Sequence, residues 1–343
     1  MRHLLGLVIT LAFTSGCTLV SAPEVRWVAD PTTSLQWPAS PDKARIRYLR
    51  DFKGPVDFEK TGSSQKFLTW LTGERDKKLP FIAPYGIAAD GSGRIWVADM
   101  GIRGVHQIDL AKEKVTYILS AGTTPLATPA GVAVDVERQR LYVSDTTLAK
   151  VFLFDLEGRF LETWDVPDNF GRPAGLAVDK SGQLYVVDAQ KNRLNILSPV
   201  GTLLRTITSS TQPELAFNTP SNVALNAQGQ IFVVDSMNFR VEFFSAEGES
   251  LGTIGSIGDG PGYFARPRGI AIDGDGHIYV ADATFDNIQV FDSSGKLMIY
   301  FGQPGKKQAG EFSLPAGMTL DQHNRLYVVD SFNQRLQIFE YLP

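Results

Sequence analysis

Short apolar runs separated by turn residues make up most of the chain, and they follow one another in a fixed order. A proline is followed two residues later by glycine or asparagine, and then by an apolar run such as 131–135. Runs that are apolar at nearly every position and only a few residues long are typical of strands buried on both faces. A turn that often contains glycine comes next, and a second apolar run ends in aspartate. The pattern therefore predicts an all-β chain built from hairpins.

The same unit occurs six times. Its proline recurs every 44 to 48 residues, at Pro84, Pro129, Pro173, Pro220, Pro267 and Pro315. Its second run ends at Asp99, Asp145, Asp188, Asp235, Asp282 and Asp330. A third run follows in every unit and a fourth in most of them. Four antiparallel strands in each of six units predict a six-bladed β-propeller, in which each four-stranded antiparallel blade buries its faces against its neighbours.

The last unit lacks one strand, because the chain stops at Pro343 soon after the third run. Residues 45–52 precede the first unit and alternate polar with apolar side chains, which is typical of a strand with one exposed face. We expect this N-terminal strand to complete blade six, so that the propeller spans 45–343 and has no open edge. Between this strand and the first unit, residues 64–71 predict a short amphipathic helix.

The first residues predict an export signal that is not part of the fold. A basic start is followed by an apolar run over 4–13, and ten residues are too few to cross a bilayer core, which needs about 20 in a helix. The sequence Thr-Ser-Gly-Cys at 14–17 resembles the bacterial lipobox, in which signal peptidase II cuts before a cysteine that carries a diacylglyceryl group. This resemblance implies a lipoprotein signal peptide over 1–16 and lipidation of Cys17, which would anchor the protein to a membrane.

The residues after the cleavage site predict where the protein goes. Thr18 follows the cysteine, and this resembles the pattern for sorting to the outer membrane of the bacterial cell envelope. Ordinary secretion with cleavage after Ala22 is the alternative, and it would give a secreted or periplasmic protein. Residues 17–44 contain four prolines among Ser, Thr and Ala and predict an extended tether between membrane and propeller.

Charge and composition argue against several classes of partner and site. The chain has 33 Lys and Arg against 37 Asp and Glu, a formal net charge of −4, so nucleic acid is not an expected partner. Cys17 is the single cysteine, which excludes an internal disulfide and a zinc site built from cysteines. With 43% hydrophobic residues the chain has enough apolar side chains for a large core, and we expect a monomeric propeller.

The detailed motif resembles the NHL repeat over residues 81–339. Each unit approximates Pro-x-Gly-Ile-Ala-x-Asp, then Leu-Tyr-Val-x-Asp, a short loop with Asn, a basic residue and an apolar strand. The basic residue is Lys150, Arg193, Arg240 and Arg335, and it is replaced in blades one and five by Gly104 and Asn287. The lead Trp-Pro-Ala-Ser-Pro at 37–41 is similar to that of bacterial NHL-repeat lipoproteins. The resemblance implies a six-bladed propeller with one loop face that binds a partner.

Catalytic and metal-binding patterns are weak. The aspartate at the end of each second run is a possible ligand for a hard cation, but its occurrence once per unit favours a structural role in turns. His277 and His323 lie in turns of adjacent blades, yet two histidines fall short of the three protein ligands typical of catalytic zinc. No nucleophile elbow, zinc-protease motif or phosphate-binding loop is present. We therefore expect no catalytic residues, no metal site and no cofactor.

Candidate binding residues are those that break the repeat on one face, where the loops entering the first strands meet the loops between second and third strands. They include Tyr85, Arg268, Asn222, Arg172 and Arg266, which stand at or beside the repeat proline. Apolar residues of the second type of loop are Met100, Met237, Phe239, Phe285 and Phe332. Aromatic, methionine and arginine side chains around a channel mouth predict a surface for a protein or an anionic ligand. The alternative is that these side chains pack between the blades.

These observations predict an envelope lipoprotein whose propeller is a scaffold for an envelope protein or a small ligand, neither of which the sequence identifies. The alternative is a metal-dependent hydrolase or lyase that acts at the channel mouth and resembles propeller lactonases or amidating lyases. The sequence leaves open whether the protein is an enzyme.

Overall fold

The computed structural model describes residues 35–58, 78–208 and 216–343. The predicted signal peptide, Cys17 and the predicted helix over 64–71 lie outside these ranges. Among the described residues, no helix has the length and the apolar character that a membrane crossing requires.

Six antiparallel sheets form the blades of a propeller, as predicted; five of them have four strands, and the sixth has four and a short fifth strand. Blade one consists of Pro84–Ala89, Arg94–Asp99, Gly104–Asp109 and Lys114–Ile118. Blade two consists of Pro129–Asp135, Arg140–Asp145, Lys150–Asp155 and Phe160–Trp164. Blade three consists of Pro173–Val178, Leu184–Asp188, Arg193–Leu197 and Leu203–Ile207. Blade four consists of Pro220–Leu225, Ile231–Asp235, Arg240–Phe244 and Ser250–Ile254. Blade five consists of Pro267–Ile272, Ile278–Asp282, Asn287–Phe291 and Leu297–Phe301. Blade six contains Pro315–Leu320, Arg325–Asp330, Arg335–Tyr341 and Ile46–Phe52.

A few short elements connect the blades. Two-residue strands pair Ser120–Ala121 with Thr124–Pro125, and Gln303–Pro304 with Glu311–Phe312. Within the described ranges, the helical segments are single turns of 3-10 helix at Pro55–Phe58 and Ser236–Asn238.

The N-terminal strand closes the ring. Ile46–Phe52 pairs antiparallel with Arg335–Tyr341, with Tyr48 opposite Phe339 and Phe52 opposite Leu336. This confirms the predicted closure of blade six, because the last strand along the chain has no other partner on that edge. Closure leaves its backbone N–H and C=O groups paired instead of exposed.

The packed part of the chain begins before residue 45. Gln36–Trp37 adds a fifth strand to blade six. The indole ring of Trp37 lies 5.4 Å from the ring of Phe301 in blade five and 5.9 Å from that of Phe339 in blade six. The predicted extended tether over 17–44 therefore includes residues 35–38, which are half-buried against the propeller, whereas residues 39–43 are exposed. Prolines suggested a linker there, and a two-residue strand is too short to produce a hydrophobic pattern.

The aspartates that end the second strands bind backbone N–H groups. Asp145 is fully buried and accepts hydrogen bonds from the backbone nitrogens of Ala127, Thr128, Thr147 and Leu148. Asp145 thereby connects the loop before the first strand of blade two with the loop between its second and third strands. A buried carboxylate needs such donors, which explains why aspartate recurs at this position.

The innermost strands surround a central channel. Each of them pairs with a neighbouring strand on one edge only, so the N–H and C=O groups of its other edge are not paired with another strand. In every blade except blade four, a glycine two residues after the repeat proline allows these strands to approach one another. A Cβ atom on Gly86 or Gly269 would overlap the carbonyl oxygen of Ala130 or Ala316 in the next blade.

Candidate functional site

A cavity of about 300 Å³ lies at the mouth of the channel on the predicted loop face, and we call it the mouth pocket. Of the candidate residues, Tyr85, Met100, Arg172, Met237, Arg266 and Arg268 line it. They belong to blades one, three, four and five. The repeat explains why they converge, because residues at equivalent positions of successive blades lie around one axis. Small residues at these positions in other units leave the space that the larger side chains enter.

The other candidate residues lie elsewhere. Asn222 lines the channel below the mouth pocket, and its Oδ1 accepts a hydrogen bond of 2.9 Å from the backbone nitrogen of Val223. Phe239 has a φ of 56° and packs against the core between blades four and five. Phe285 is half-buried, whereas Phe332 is 59% exposed with Lys306 Nζ 5.1 Å from its ring centroid. The three phenylalanines thus do not line the mouth pocket.

Three arginines give the mouth pocket its charge. Arg172 and Arg266 are exposed, and Arg268 is half-buried with its Cζ 6.0 Å from the ring centroid of Tyr85. None of the three forms an ion pair with a carboxylate of the described residues. By contrast, Arg193 and Arg240 each lie within 3.3 Å of the buried aspartate of their own blade.

Arg268 is the half-buried arginine of the three, and its surroundings disfavour its charge. Burial lowers the pKa of its guanidinium below the usual range; the nearby Tyr85 opposes this shift, and the positive charge of Arg266 adds to it. A partly buried cation next to another cation is costly unless an anion compensates it. The arrangement therefore favours an anionic group in the pocket.

Two serines fix the backbone that carries Arg268. Ser236 Oγ donates to the carbonyl oxygen of Pro267 over 2.7 Å, and Ser221 Oγ donates to that of Arg268 over 3.1 Å. The two hydroxyl oxygens lie 2.8 Å apart. Blade four is thereby joined to the first residues of blade five, which holds Arg268 in place.

Neither serine stands out in the sequence. Ser221 follows the repeat proline of blade four, where blades two, three and six have alanine, and a small residue is ordinary at that position. Ser236 follows the strand-ending Asp235 in a loop that differs in every unit. The two serines hold the backbone of Arg268 because the fold places them beside blade five, and the sequence alone does not reveal this position.

The described residues offer no donor set for a catalytic metal. Within the described parts of the chain, no three His, Cys, Asp or Glu side chains lie close enough together to hold a metal ion. His106 is fully buried with Nε2 3.3 Å from Asp99 Oδ2, and His277 Nδ1 lies 2.8 Å from Asp273 Oδ2. Both histidines therefore hydrogen-bond within their own blades, and the residues of the mouth pocket do not fit a metal site.

Family comparisons agree with the propeller. A family described as the SMP-30/gluconolactonase/LRE-like region matches residues 68–225, a six-bladed β-propeller family matches 175–284, and the NHL repeat matches 312–339. A probable peptidyl-alpha-hydroxyglycine alpha-amidating lyase of Caenorhabditis elegans is 30% identical over 132 residues. That match covers 34% of this chain, and the chain spans 37% of the length of this curated relative.

Solved structures show the same fold at low sequence identity. A gluconolactonase from Xanthomonas campestris is 18% identical with a TM-score of 0.59, over 87% of this chain and 100% of that one. Virginiamycin B lyase from Staphylococcus aureus is 15% identical with a TM-score of 0.56, over 76% of this chain and 95% of that one. A Bacteroides thetaiotaomicron protein of unknown function is 18% identical with a TM-score of 0.62, over 76% and 70% of the two chains. The blades and these matches identify the fold of the chain as a six-bladed β-propeller, in which residues 312–339 match the NHL repeat.

Proposed function

We propose that the propeller is a binding scaffold whose mouth pocket takes an anionic group of a small ligand or of an envelope protein. The observation that carries the proposal is the convergence of Arg172, Arg266 and Arg268 on one cavity without a carboxylate partner among the described residues. Guanidinium groups are well suited to carboxylates and phosphates, because their planar donors form paired hydrogen bonds. Concave sites with apolar walls and a few polar groups are typical of ligand binding.

The proposal is tested on the full chain, purified under mild conditions from its native envelope. We expect the wild type to retain a ligand or a partner protein in stoichiometric amount, and the triple variant R172A/R266A/R268A to lose it. Lys307→Ala is the matched control, because it removes an exposed cation of a neighbouring loop that does not line the pocket. Equal retention by the wild type and the triple variant would contradict the proposal.

We also propose that Cys17 is lipidated and that the protein is located in the bacterial cell envelope, where the lipid attaches it to the outer membrane. The support is the lipobox-like sequence and the threonine that follows it. Replacement of Cys17 by serine should move the protein from the membrane fraction to the soluble fraction. A variant that remains wholly in the membrane fraction would overturn this anchor and favour another attachment, whereas a wild type found in the soluble fraction would favour secretion.

A hydrolase or lyase is the second candidate function, and two comparisons favour it. The SMP-30/gluconolactonase/LRE-like family covers 68–225, and the matched curated relative is a probable amidating lyase. Assays for lactone hydrolysis and for cleavage of a peptidyl-hydroxyglycine, with and without added divalent metal, test this candidate. Turnover that Arg268→Ala abolishes and Lys307→Ala preserves would support an enzyme acting at the mouth pocket.

A further inference from the structure

Building on the proposed function, we propose that the ligand of the mouth pocket is an anionic amphiphile: a single carboxylate, sulfonate or phosphate group joined to a compact apolar body. The cavity of about 300 Å³ limits the size of the portion that is enclosed. Three features of the pocket carry this inference, namely its apolar wall, the position of its cations and the polar channel beneath it.

The wall of the mouth pocket is mainly apolar. Besides the arginines and hydroxyl-bearing residues, it contains Met100, Ala130, Ala174, Ala189, Pro220 and Met237. Met237 is 52% exposed, although solvent would favour a polar residue in this loop. Methionine side chains adapt to irregular apolar shapes. An inorganic anion would leave this wall uncovered, whereas an apolar body would cover it.

The cations of the pocket come from blades three and five. Arg172 belongs to blade three and Arg266 and Arg268 to blade five, and the guanidinium of Arg268 reaches Tyr85 of blade one, with its Cζ 6.0 Å from the ring centroid. The hydroxyl groups of Ser221 and Ser236 donate to backbone carbonyl oxygens and are engaged there. An anion in the pocket is therefore held by the guanidinium groups, and the apolar body contacts the methionine and alanine side chains of the wall.

The channel below the pocket discourages deeper entry of an apolar body. Its wall consists of the free edges of six strands, whose backbone N–H and C=O groups require water or another polar partner. An apolar body that entered the channel would remove this water without replacing its hydrogen bonds. The ligand is accordingly held at the mouth, with its anionic group at the guanidinium groups and its apolar body against the apolar wall.

Two fluorescent probes with nearly the same aromatic body test the ligand class on the full chain. Anilinonaphthalene sulfonate carries one anionic group, and N-phenylnaphthylamine carries none. We expect the sulfonate to bind at least about tenfold more tightly than the neutral probe, because it gains charged hydrogen bonds. Arg268→Ala should weaken sulfonate binding by about the same factor and leave the neutral probe unchanged. Arg268→Lys should be intermediate, since lysine keeps the charge but not the planar donors.

The controls separate the ligand class from the proposed function. Lys307→Ala should bind both probes like the wild type, and inorganic sulfate in large excess should not displace the sulfonate probe. Equal binding of the two probes, displacement by sulfate alone, or no effect of Arg268→Ala would overturn the anionic amphiphile. If the probes give one of these results but R172A/R266A/R268A still loses the ligand that the natively purified wild type retains, the proposed function is supported and only the ligand class is wrong. If the triple variant retains that ligand as well, the proposed function and the ligand class are both wrong.

Discussion

A single buried side chain, Arg335, joins three parts of the propeller. Its side chain is 2% exposed, with Nε 2.8 Å from Asp330 Oδ2 and Nη1 3.4 Å from Asp51 Oδ2 in the closing strand. Its Nη2 donates to the carbonyl oxygens of Gln308 and Glu311 in the loop that enters blade six. The guanidinium therefore satisfies its donors within the protein, as a buried charge must.

Replacement of Arg335 by alanine should destabilise the protein by about 3 kcal/mol or more, because it leaves the fully buried Asp330 carboxylate without its cation. Denaturant unfolding measures the loss. Lys112→Ala provides the comparison: its side chain is 74% exposed and pairs with Asp109 at the surface, so its removal should cost at most about 1 kcal/mol. Similar losses in the two variants would contradict the role assigned to Arg335.

Asp168 provides a test of surface electrostatics. Hydrogen bonds from Arg193 and Lys191 lower the pKa of this exposed carboxyl from 3.8 to about 2. Because the folded-state pKa is the lower one, the carboxylate favours the folded state above pH 3.8, and this contribution is lost as the pH falls towards 2. Asp168→Asn should be less stable than the wild type at neutral pH, and the gap should shrink below about pH 4 and in high salt. A gap that is independent of pH would show that the charge is not responsible.

At the scale of elements, the approach of neighbouring inner strands sets the geometry of the ring. Gly269 and the carbonyl oxygen of Ala316 are in contact across the junction between blades five and six. The same relation holds for Gly86 and Ala130 between blades one and two. Blade four departs from it with Asn222, whose side chain enters the channel.

Gly269→Ala should destabilise the propeller by about 1 to 3 kcal/mol, because the added methyl group overlaps a backbone atom that belongs to a packed strand. Gly274→Ala is the matched control in the same blade, since a Cβ at Gly274 meets no atom within 4 Å. We expect this control to remain within about 0.5 kcal/mol of the wild type in thermal or denaturant unfolding. If Gly269→Ala is as stable as the wild type, the inner strands can move apart to accommodate the added methyl group.

The repeat makes most of the fold predictable and much of the site less so. Six proline-spaced units determine the blades, and the missing strand of the last unit indicates where residues 45–52 belong. Tyr85 and Arg268 stand out because neighbouring units have small residues at those positions. Phe239 is different: its φ of 56° turns the side chain towards the core, and a loop sequence does not reveal that conformation. The role of Ser236 depends on the neighbouring blade, which the sequence pattern does not place.

At the scale of the whole molecule, the two ends of the propeller hold each other. Ile46–Phe52 covers the outer edge of Arg335–Tyr341, and Trp37 packs over the junction of blades five and six. The strand Arg335–Tyr341 includes the buried Leu336, Ile338 and Phe339. Without its cover, this strand would present an apolar edge that can pair with other chains.

A chain that begins at residue 53 should therefore melt at a markedly lower temperature than the full chain and form aggregates. A chain that begins at residue 45 keeps the closing strand but loses Trp37, and its melting temperature should be intermediate. Calorimetry measures the two transitions, and light scattering detects aggregates. Equal melting temperatures for the full chain and the chain from residue 53 would show that blade six is stable with three strands.

The pairing of the first and last strands also orders the events of folding. Blade six combines residues that are almost 300 positions apart, with Arg47 beside Glu340. Long loops between contacting residues slow folding, because their ends must meet before the contact stabilises the chain. Ribosomal synthesis releases Ile46–Phe52 before the blades and Arg335–Tyr341 after them. The ring thus stays open until Arg335–Tyr341 has emerged, and a transcript truncated before this strand would yield a propeller with an unpaired edge at its seam.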